Sequence, residues 1–270
     1  MSVVDVRVSS LWRYPVKSVG GEQMTELRLG TDGVVGDRAF ALRVLLNGRI
    51  LTARRVPELL AASARWLGGE VELTLPHGKA VCSDDPACDA VLSDWLGRPV
   101  ALVRPSGDTA AVEEYCSAPD ADWSTFDLPS WGFVDEAPVH LLSEGALRTA
   151  QGWHPGGDWD VRRFRPNIVV AAATPGRVED GLIGGEFSIG QAVVGVTGDC
   201  KRCVMVTQPQ PGLDKDRETL RSVVTNAGKA LGVYAQVRRA GAVRLADQVL
   251  AVGQVAQTSA ETATPERSML

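Results

Sequence analysis

Short runs in which apolar residues fall at every second position constrain this chain more than any other feature. VVDVRVSSLWRY, QMTELRLG, DRAFALRV and VELTL all have the period of half-buried strands, so the first part of the chain reads as β-rich. Asp32-Gly33, followed by Gly36, punctuates two of these runs as a hairpin connection does and would place Asp37-Arg38 at a strand start. Spacing near 3.6 predicts short helices in VPELLAASARWL around Pro57 and in ACDAVLSDWLG, which stops at Gly97. Residues 107–131 are rich in Asp, Ser, Pro and Ala without periodicity and read as a long connection, with the domain boundary inside it.

After the boundary, APVHLLSE reads as a strand, with Ser143 or Glu144 opening a helix through EGALRTAQG. FRPNIVVAAA follows as a buried strand behind a basic loop, and GEFSIGQAVVGVTGDC as a hairpin. ETLRSVVTNAGKALG has helical spacing weakened by Gly228, and VYAQVRRAGAVRLADQVLAV reads as a closing hairpin around Ala240-Gly241. The small polar residues 255–270 are expected to be disordered. The fold class is therefore mainly β of the α+β kind. Its domains are expected at residues 1–125 and 126–254.

Composition narrows the function. A hydrophobic content of 44% in 270 residues suits an ordinary packed core, and a net charge of −5 argues against broad attraction to nucleic acid or an anionic membrane. No basic n-region precedes an apolar stretch, and no run of about 18 apolar residues occurs, so the cytoplasm is the expected compartment. The five cysteines, Cys82, Cys88, Cys116, Cys200 and Cys203, are odd in number and irregularly spaced, which suits reduced thiols.

Basic and small polar residues recur beside strand ends: Lys17-Ser18, Asp37-Arg38, Thr52 and Arg54, Arg165 and Asn167, and Lys201-Arg202. Singly, each is an ordinary surface residue. Jointly they are harder to dismiss, because a half-buried guanidinium needs an acidic partner or a bound anion. In GDCKRCVMVT the two cysteines lack the second pair that a four-cysteine zinc site needs. They also sit between strand-like segments rather than at the helix N-terminus that a redox dithiol uses. One of them could instead serve as a thiolate ligand to a soft metal or as a persulfide carrier. The residues alone leave these roles and an inert buried pair open. His77, His140 and His154 have no metal-ligand spacing, and the signatures of esterases, P-loop proteins and dinucleotide binders are absent.

Seven motifs in order, RYPVKS, DGVVGDRAFAL, LTARRVPEL, DWLGRPVALV, FVDEAPVHLLSE, FRPNIVV and CKRCVMVTQPQPG, make the chain from Val6 to Val252 resemble one family. It is similar to the MOSC proteins with an N-terminal β-barrel extension, which include the mitochondrial amidoxime-reducing component and its bacterial relatives. The resemblance implies an N-terminal barrel-like domain packed on a MOSC barrel, with a few peripheral helices. It also implies a molybdenum cofactor, a molybdopterin whose dithiolene holds the metal, between the two. By the same resemblance Cys203 is the metal thiolate and the catalytic residue. Lys17, Ser18, Arg38, Arg165, Asn167, Lys201 and Arg202 bind the pterin and its phosphate. Thr52 and Arg54 match with a less defined role, and Cys200 is a neighbour. The implied reaction is reduction of a small N-hydroxylated or N-oxygenated substrate. Some bacterial relatives carry a ferredoxin-like domain that this sequence lacks, so a separate ferredoxin or flavin reductase is expected as electron donor. The resemblance equally admits sulfur transfer through Cys203, or a role as cofactor carrier.

Overall fold

The computed structural model describes residues 5–107, 111–115, 124–173 and 175–252. The chain opens with β1 (Val6–Arg13), β2 (Glu22–Met24), β3 (Glu26–Gly30) and β4 (Gly33–Val34). Next come β5 (Ala41–Val44), β6 (Ser63–Trp66), β7 (Val71–Thr74), β8 (Ala80–Cys82), helix α1 (Cys88–Leu96) and β9 (Val100–Val103). The pair β10 (Val112–Tyr115) and β11 (Ser124–Asp127) leads to β12 (Val139–Ser143), helix α2 (Glu144–Trp153) and β13 (Ile168–Ala172). The last part holds β14 (Glu186–Ile189), β15 (Ala192–Lys201), helix α3 (Arg217–Ala227), β16 (Ala230–Arg239), β17 (Gly241–Arg244) and β18 (Val249–Ala251).

Eight strands form one sheet in the order β18-β14-β15-β16-β12-β13-β1-β2. Within it β12 and β13 pair in parallel, and the long connection that parallel pairing requires carries α2. Ser143 starts that helix by accepting a hydrogen bond from the Ala146 amide at 2.9 Å, a cap worth about 1 kcal/mol. The first strand belongs to this sheet: β1 runs antiparallel to β13, with Val8 opposite Val170 and Leu11 opposite Ile168. Likewise β3 pairs with β17, Leu27 facing Val243. One core therefore gathers Val8, Leu11, Leu27 and Leu29 with Leu141, Val170, Val194 and Val233 from the far part of the chain. A second core lies between β5 to β9 and α1, built on Leu42, Leu59, Leu60, Leu73 and Leu92. Each fully buried Leu contributes about 1.5–3 kcal/mol relative to exposure. The mainly β architecture is as the alternating runs suggest, with three α-helices among the described residues.

Four local expectations are corrected. VPELLAASARWL does not make one helix: a 3-10 turn at Pro57–Ala61 ends at Ala62, whose ψ of 160° is extended, and β6 begins at once. Ala64 points inward between exposed Ser63 and Arg65, and pairing with β7 outweighs helical spacing. Asp37-Arg38 does not open a strand, since Arg38 has φ of 46° in a turn before β5. The closing hairpin is absent, because β16 pairs with β15 and β12 whereas β17 crosses to β3 and β18 to β14. Gly228 ends α3 rather than weakening it, adopting the left-handed cap at φ 55° that glycine tolerates. The connection at 107–131 contains the β10–β11 pair. Residues 255–270 and Cys116 lie outside the described residues. Among the described residues no helix is long and apolar enough to cross a membrane.

Candidate functional site

Between the two cores opens a cleft of about 750 Å³, counted to its mouth. The N-terminal part supplies Lys17, Ser18, Arg38 and Arg54, and the C-terminal part supplies Arg165, Asn167, Lys201, Arg202 and Cys203. Nine of the ten residues singled out from the sequence thus share one lining. Thr52 is outside it: buried, it accepts the Arg55 and Val56 amides at 3.0 and 2.9 Å and holds the turn that carries Arg54.

The backbone around the cleft is strained in a pattern. Ser18, Arg38 and Arg165 have φ of 65°, 46° and 54°, the left-handed region that costs a side-chain-bearing residue about 1–3 kcal/mol. Two other non-glycine residues among those described share it, Lys229 and Ala246, so the strain concentrates where the cleft is. Tertiary contacts hold it in place. Arg38 donates its amide to the Tyr14 carbonyl at 2.8 Å and accepts from Phe133 at 3.0 Å. Pro166 keeps Arg165 out of the right-handed helical region. Gly36, at φ 82°, lies where any Cβ would strike the Trp66 ring at 2.6 Å, so only glycine brings the chain round to Arg38.

The cations divide into two groups. Lys17 pairs with Asp135 and, at 3.1 Å, with Glu113, and donates to the Phe133 carbonyl at 3.0 Å. Arg54 pairs with the same Glu113 and, at 2.6 Å, with Asp135. Two cations and two carboxylates close on each other. Burial works against the charged form of Asp135, but Lys17 and Arg54 win and hold its carboxyl far below the ordinary range.

In the other group Arg38 alone has a carboxylate partner among the described residues. Arg38 uses Asp37 and the Arg165 carbonyl at 3.2 Å. Arg165 donates one terminal nitrogen to the Val19 carbonyl at 2.6 Å, while its buried Nη2 has no acceptor. Arg202 donates to the Phe164 carbonyl at 2.7 Å and to Cys200 Sγ, and its buried Nε also has no acceptor. The Tyr14 ring lies 4.7 and 4.2 Å from the Arg38 and Arg165 guanidinium carbons. Burial and the neighbouring Arg38 bring the Arg165 guanidinium down to about 10. A buried donor without an acceptor costs about 1–3 kcal/mol, which an anion in the cleft would remove. Lys201 turns to Asp199 at 3.0 Å and is half exposed.

The two cysteines of CKRC face different arginines. Cys200 is buried against Arg202 and the Tyr234 hydroxyl, and burial pushes its thiol up against their pull. Cys203 is half-buried, is hydrogen-bonded by Arg54, and borders both the cleft and a second cavity of about 650 Å³ counted the same way. All four cysteines among the described residues are free thiols, and no group of three or more His, Cys, Asp or Glu there is placed to hold a metal ion. A metal here would need ligands beyond these side chains.

Several residues in or beside the cleft escaped the sequence analysis. Tyr14, under the Arg38 and Arg165 guanidiniums, and Asp135, in the lining, lie inside the quoted motifs RYPVKS and FVDEAPVHLLSE, and that was their only signal. Glu113 sits in a stretch with no periodicity. His140 lines the cleft, neutral because burial and then Arg202 hold it well below the ordinary imidazole range, and its Nε2 has no partner. Asn167 spends its side chain as a strut, accepting the His140 amide at 3.2 Å and donating to the Trp12 carbonyl at 3.4 Å. Buried Arg163 donates to the carbonyls of Asp158, Val206, Gln208 and Asp214, fixing the segment after Cys203.

The MOSC domain family matches residues 129–250, and the MOSC N-terminal beta barrel domain family matches residues 5–93. The molybdenum cofactor sulfurase of Oryza sativa subsp. japonica is 27% identical over 96% of this chain and 36% of its own, so this chain spans about a third of that relative's length. Mitochondrial amidoxime reducing component 2 of Bos taurus is 25% identical over 90% of this chain and 82% of its own. The YUAD protein from Bacillus subtilis, a solved structure, has a TM-score of 0.48 at 12% identity, over 91% of this chain and 94% of that one. The motifs, the two-core fold and the two family matches agree: the chain belongs to the MOSC-domain proteins that carry an N-terminal MOSC β-barrel domain.

Proposed function

We propose that the cleft holds a molybdenum cofactor and that the protein is a molybdenum-dependent reductase of N-hydroxylated or N-oxygenated small molecules. A separate electron-transfer protein supplies the electrons. The observation that carries this is the pair of buried, acceptorless guanidinium nitrogens, Arg165 Nη2 and Arg202 Nε, in a strained cleft that Cys203 also borders. A phosphate-bearing pterin with a thiolate-seeking metal would use both features, and the residues fit it. When bound, the cofactor supplies a two-electron metal centre able to exchange an oxygen ligand.

The chain's own residues do the rest. Arg38, Arg165 and Arg202 meet the anionic end, with Ser18 and the Lys201-Arg202 segment beside them. Cys203 offers its sulfur to the metal, with Arg54 donating a hydrogen bond to it. Lys17, Glu113 and Asp135 fix Arg54 in place. Overall the substrate N–OH bond is cleaved with two electrons and two protons, giving N–H and water.

A second reading has one observation in its favour: the sulfurase from rice matches 96% of this chain. There Cys203 would carry a persulfide and deliver sulfur, and a cofactor carrier would need no turnover at all. In either case the reduced cytoplasm suits the free thiols.

The test is to purify the protein from a host that makes molybdopterin and to measure molybdenum, pterin and benzamidoxime reduction with an artificial electron donor. Metal, pterin and turnover together are expected. Folded protein without molybdenum or pterin rejects the proposal, and a persulfide on Cys203 in metal-free protein favours sulfur transfer.

A further inference from the structure

Of the three histidines in the chain, His77 is exposed on a turn, His154 pairs with Asp216 at 3.0 Å, and His140 is buried in the wall of the cleft. The proposed function gives His140 no task, yet its seat is closely built. In β12 it stands opposite Tyr234 of β16, the two rings meeting edge to face at 5.9 Å. Its buried Nε2 packs against Gly232, where any Cβ would collide with it, and has no hydrogen-bond partner. The charged and titratable groups around the ring come from several elements. Arg165 precedes β13, Arg202 follows β15 and Arg38 lies in the turn before β5; all three line the same cleft. Arg165 and Arg202 donate to carbonyls and a thiol and have no carboxylate partner among the described residues. From β15 also come Cys200, held by Arg202 and the Tyr234 hydroxyl, and Lys201, which turns to Asp199. On the connection into β12, Asp135 is taken by Lys17 and Arg54, and exposed Glu136 faces Arg202, Arg54 and Lys201. Glu179 meets Ser143, three residues beyond His140 and so on the opposite face of the strand. Cations therefore dominate what the imidazole faces.

We infer that His140 is a conditional cation of this cleft, taking up a proton when an anion binds to Arg38, Arg165 and Arg202, so that anion binding is proton-linked. Burial, then Arg202 and Arg38, hold the ring neutral, against the backbone carbonyls of Arg165 and Leu231, which favour its charged form. An anion on the guanidiniums cancels the repulsion and adds an attraction, while the carbonyls stay where they are. The value with ligand bound then lies above the free one, so binding is tighter at low pH and weakens as pH rises through the bound value. The inference rests on the reading that the cleft takes an anion, not on which reaction it serves.

The test uses sulfate, which stays doubly charged throughout, on the full chain purified from a host that makes no molybdopterin. Calorimetry in two buffers of different ionisation heat counts the protons taken up. NMR of the three histidines follows His140, assigned by loss of its signal in His140→Gln or, should that variant not fold, by elimination with His77→Gln and His154→Gln. Sulfate is expected to bind about 10-fold more tightly at about pH 5 than at about pH 8, with net proton uptake, and to raise the His140 titration by about one pH unit. His140→Gln should cut the pH dependence to less than about 2-fold and abolish the uptake. Glu136, whose carboxyl burial and Asp135 raise, is the competing titrating group. A pH dependence lost in Glu136→Gln and kept in His140→Gln overturns the inference, as does a His140 titration that sulfate leaves unmoved. Sulfate bound equally well at both pH values defeats this inference and leaves the anion-binding reading standing, whereas no sulfate binding at either pH defeats both.

Discussion

Two basic clusters border the same cleft and are spent in opposite ways. Lys17 and Arg54 are closed against the carboxylates of Glu113 and Asp135, whereas Arg165 and Arg202 have no carboxylate partner among the described residues and donate to carbonyls and a thiol. The first is a self-contained lattice whose removal of any one member strands the others. The second is left with uncompensated charge, at a cost to stability that the rest of the fold covers, and on the proposed function this is where the cofactor's anion is met. Counting positive residues does not separate them. What separates them is where the carboxylates are.

The largest test falls at Cys203, where the two clusters meet. Cys203→Ser should lower turnover at least about 1000-fold with the fold intact, whereas Cys200→Ser should cost less than about 10-fold, as steady-state kinetics would read. Equal losses would mean that the thiol roles have been misassigned. Next, Glu113→Ala should destabilise the protein by about 3–5 kcal/mol in denaturant unfolding, because Lys17 and Arg54 lose a shared buried partner. A loss below about 1 kcal/mol would show that the lattice is no lattice.

Arg165→Met should do the reverse. Stability should stay within about 1 kcal/mol of wild type or rise, while pterin retained through purification falls about 10-fold. Loss of stability as large as that of Glu113→Ala would erase the contrast between the clusters.

The smallest effect is in pH. The folded value of Asp135 lies below its unfolded one, so its contribution is present above about pH 4 and fades as pH falls through that range toward the folded value. Arg165 gives a slope of the same sign at the other end of the pH range. Its folded value of about 10 lies below the unfolded one, so the unfolded state holds more protons there and stability rises as pH climbs past 10. Unfolding curves should therefore show Asp135→Asn blunting the acid loss and Arg165→Met blunting the alkaline gain.

Much of this was legible in the sequence. Alternation located β1, β3, β5 and β7, apolar runs located β12 and β13, and helical spacing located α1, α2 and α3, because these depend on neighbours in the chain. Pairing partners were not legible: β17 reads as the return arm of β16, yet joins β3 more than 200 residues away. In the same way the sequence flagged Lys17, Arg38, Arg54, Arg165 and Arg202 as candidates but not which were neutralised. Asp135 is 118 residues from Lys17, and Glu113 is 59 from Arg54, in a stretch without period. Strain at Ser18 and Arg38 leaves no trace in residue type, and only the proline after Arg165 gives a hint.

The placement of β1 beside β13 has a consequence for biosynthesis. Beyond its pair with β2, β1 has no neighbour in the large sheet until the chain has reached Ile168, and β3, beyond its pair with β4, must wait longer, for β17. The N-terminal core can close early, but Lys17 and Arg38 can face Arg165 and Arg202 only after release of the last strands. Assembly of the cleft is therefore a late event of high contact order. A nascent or truncated chain would hold half of the basic residues and no place to put a ligand.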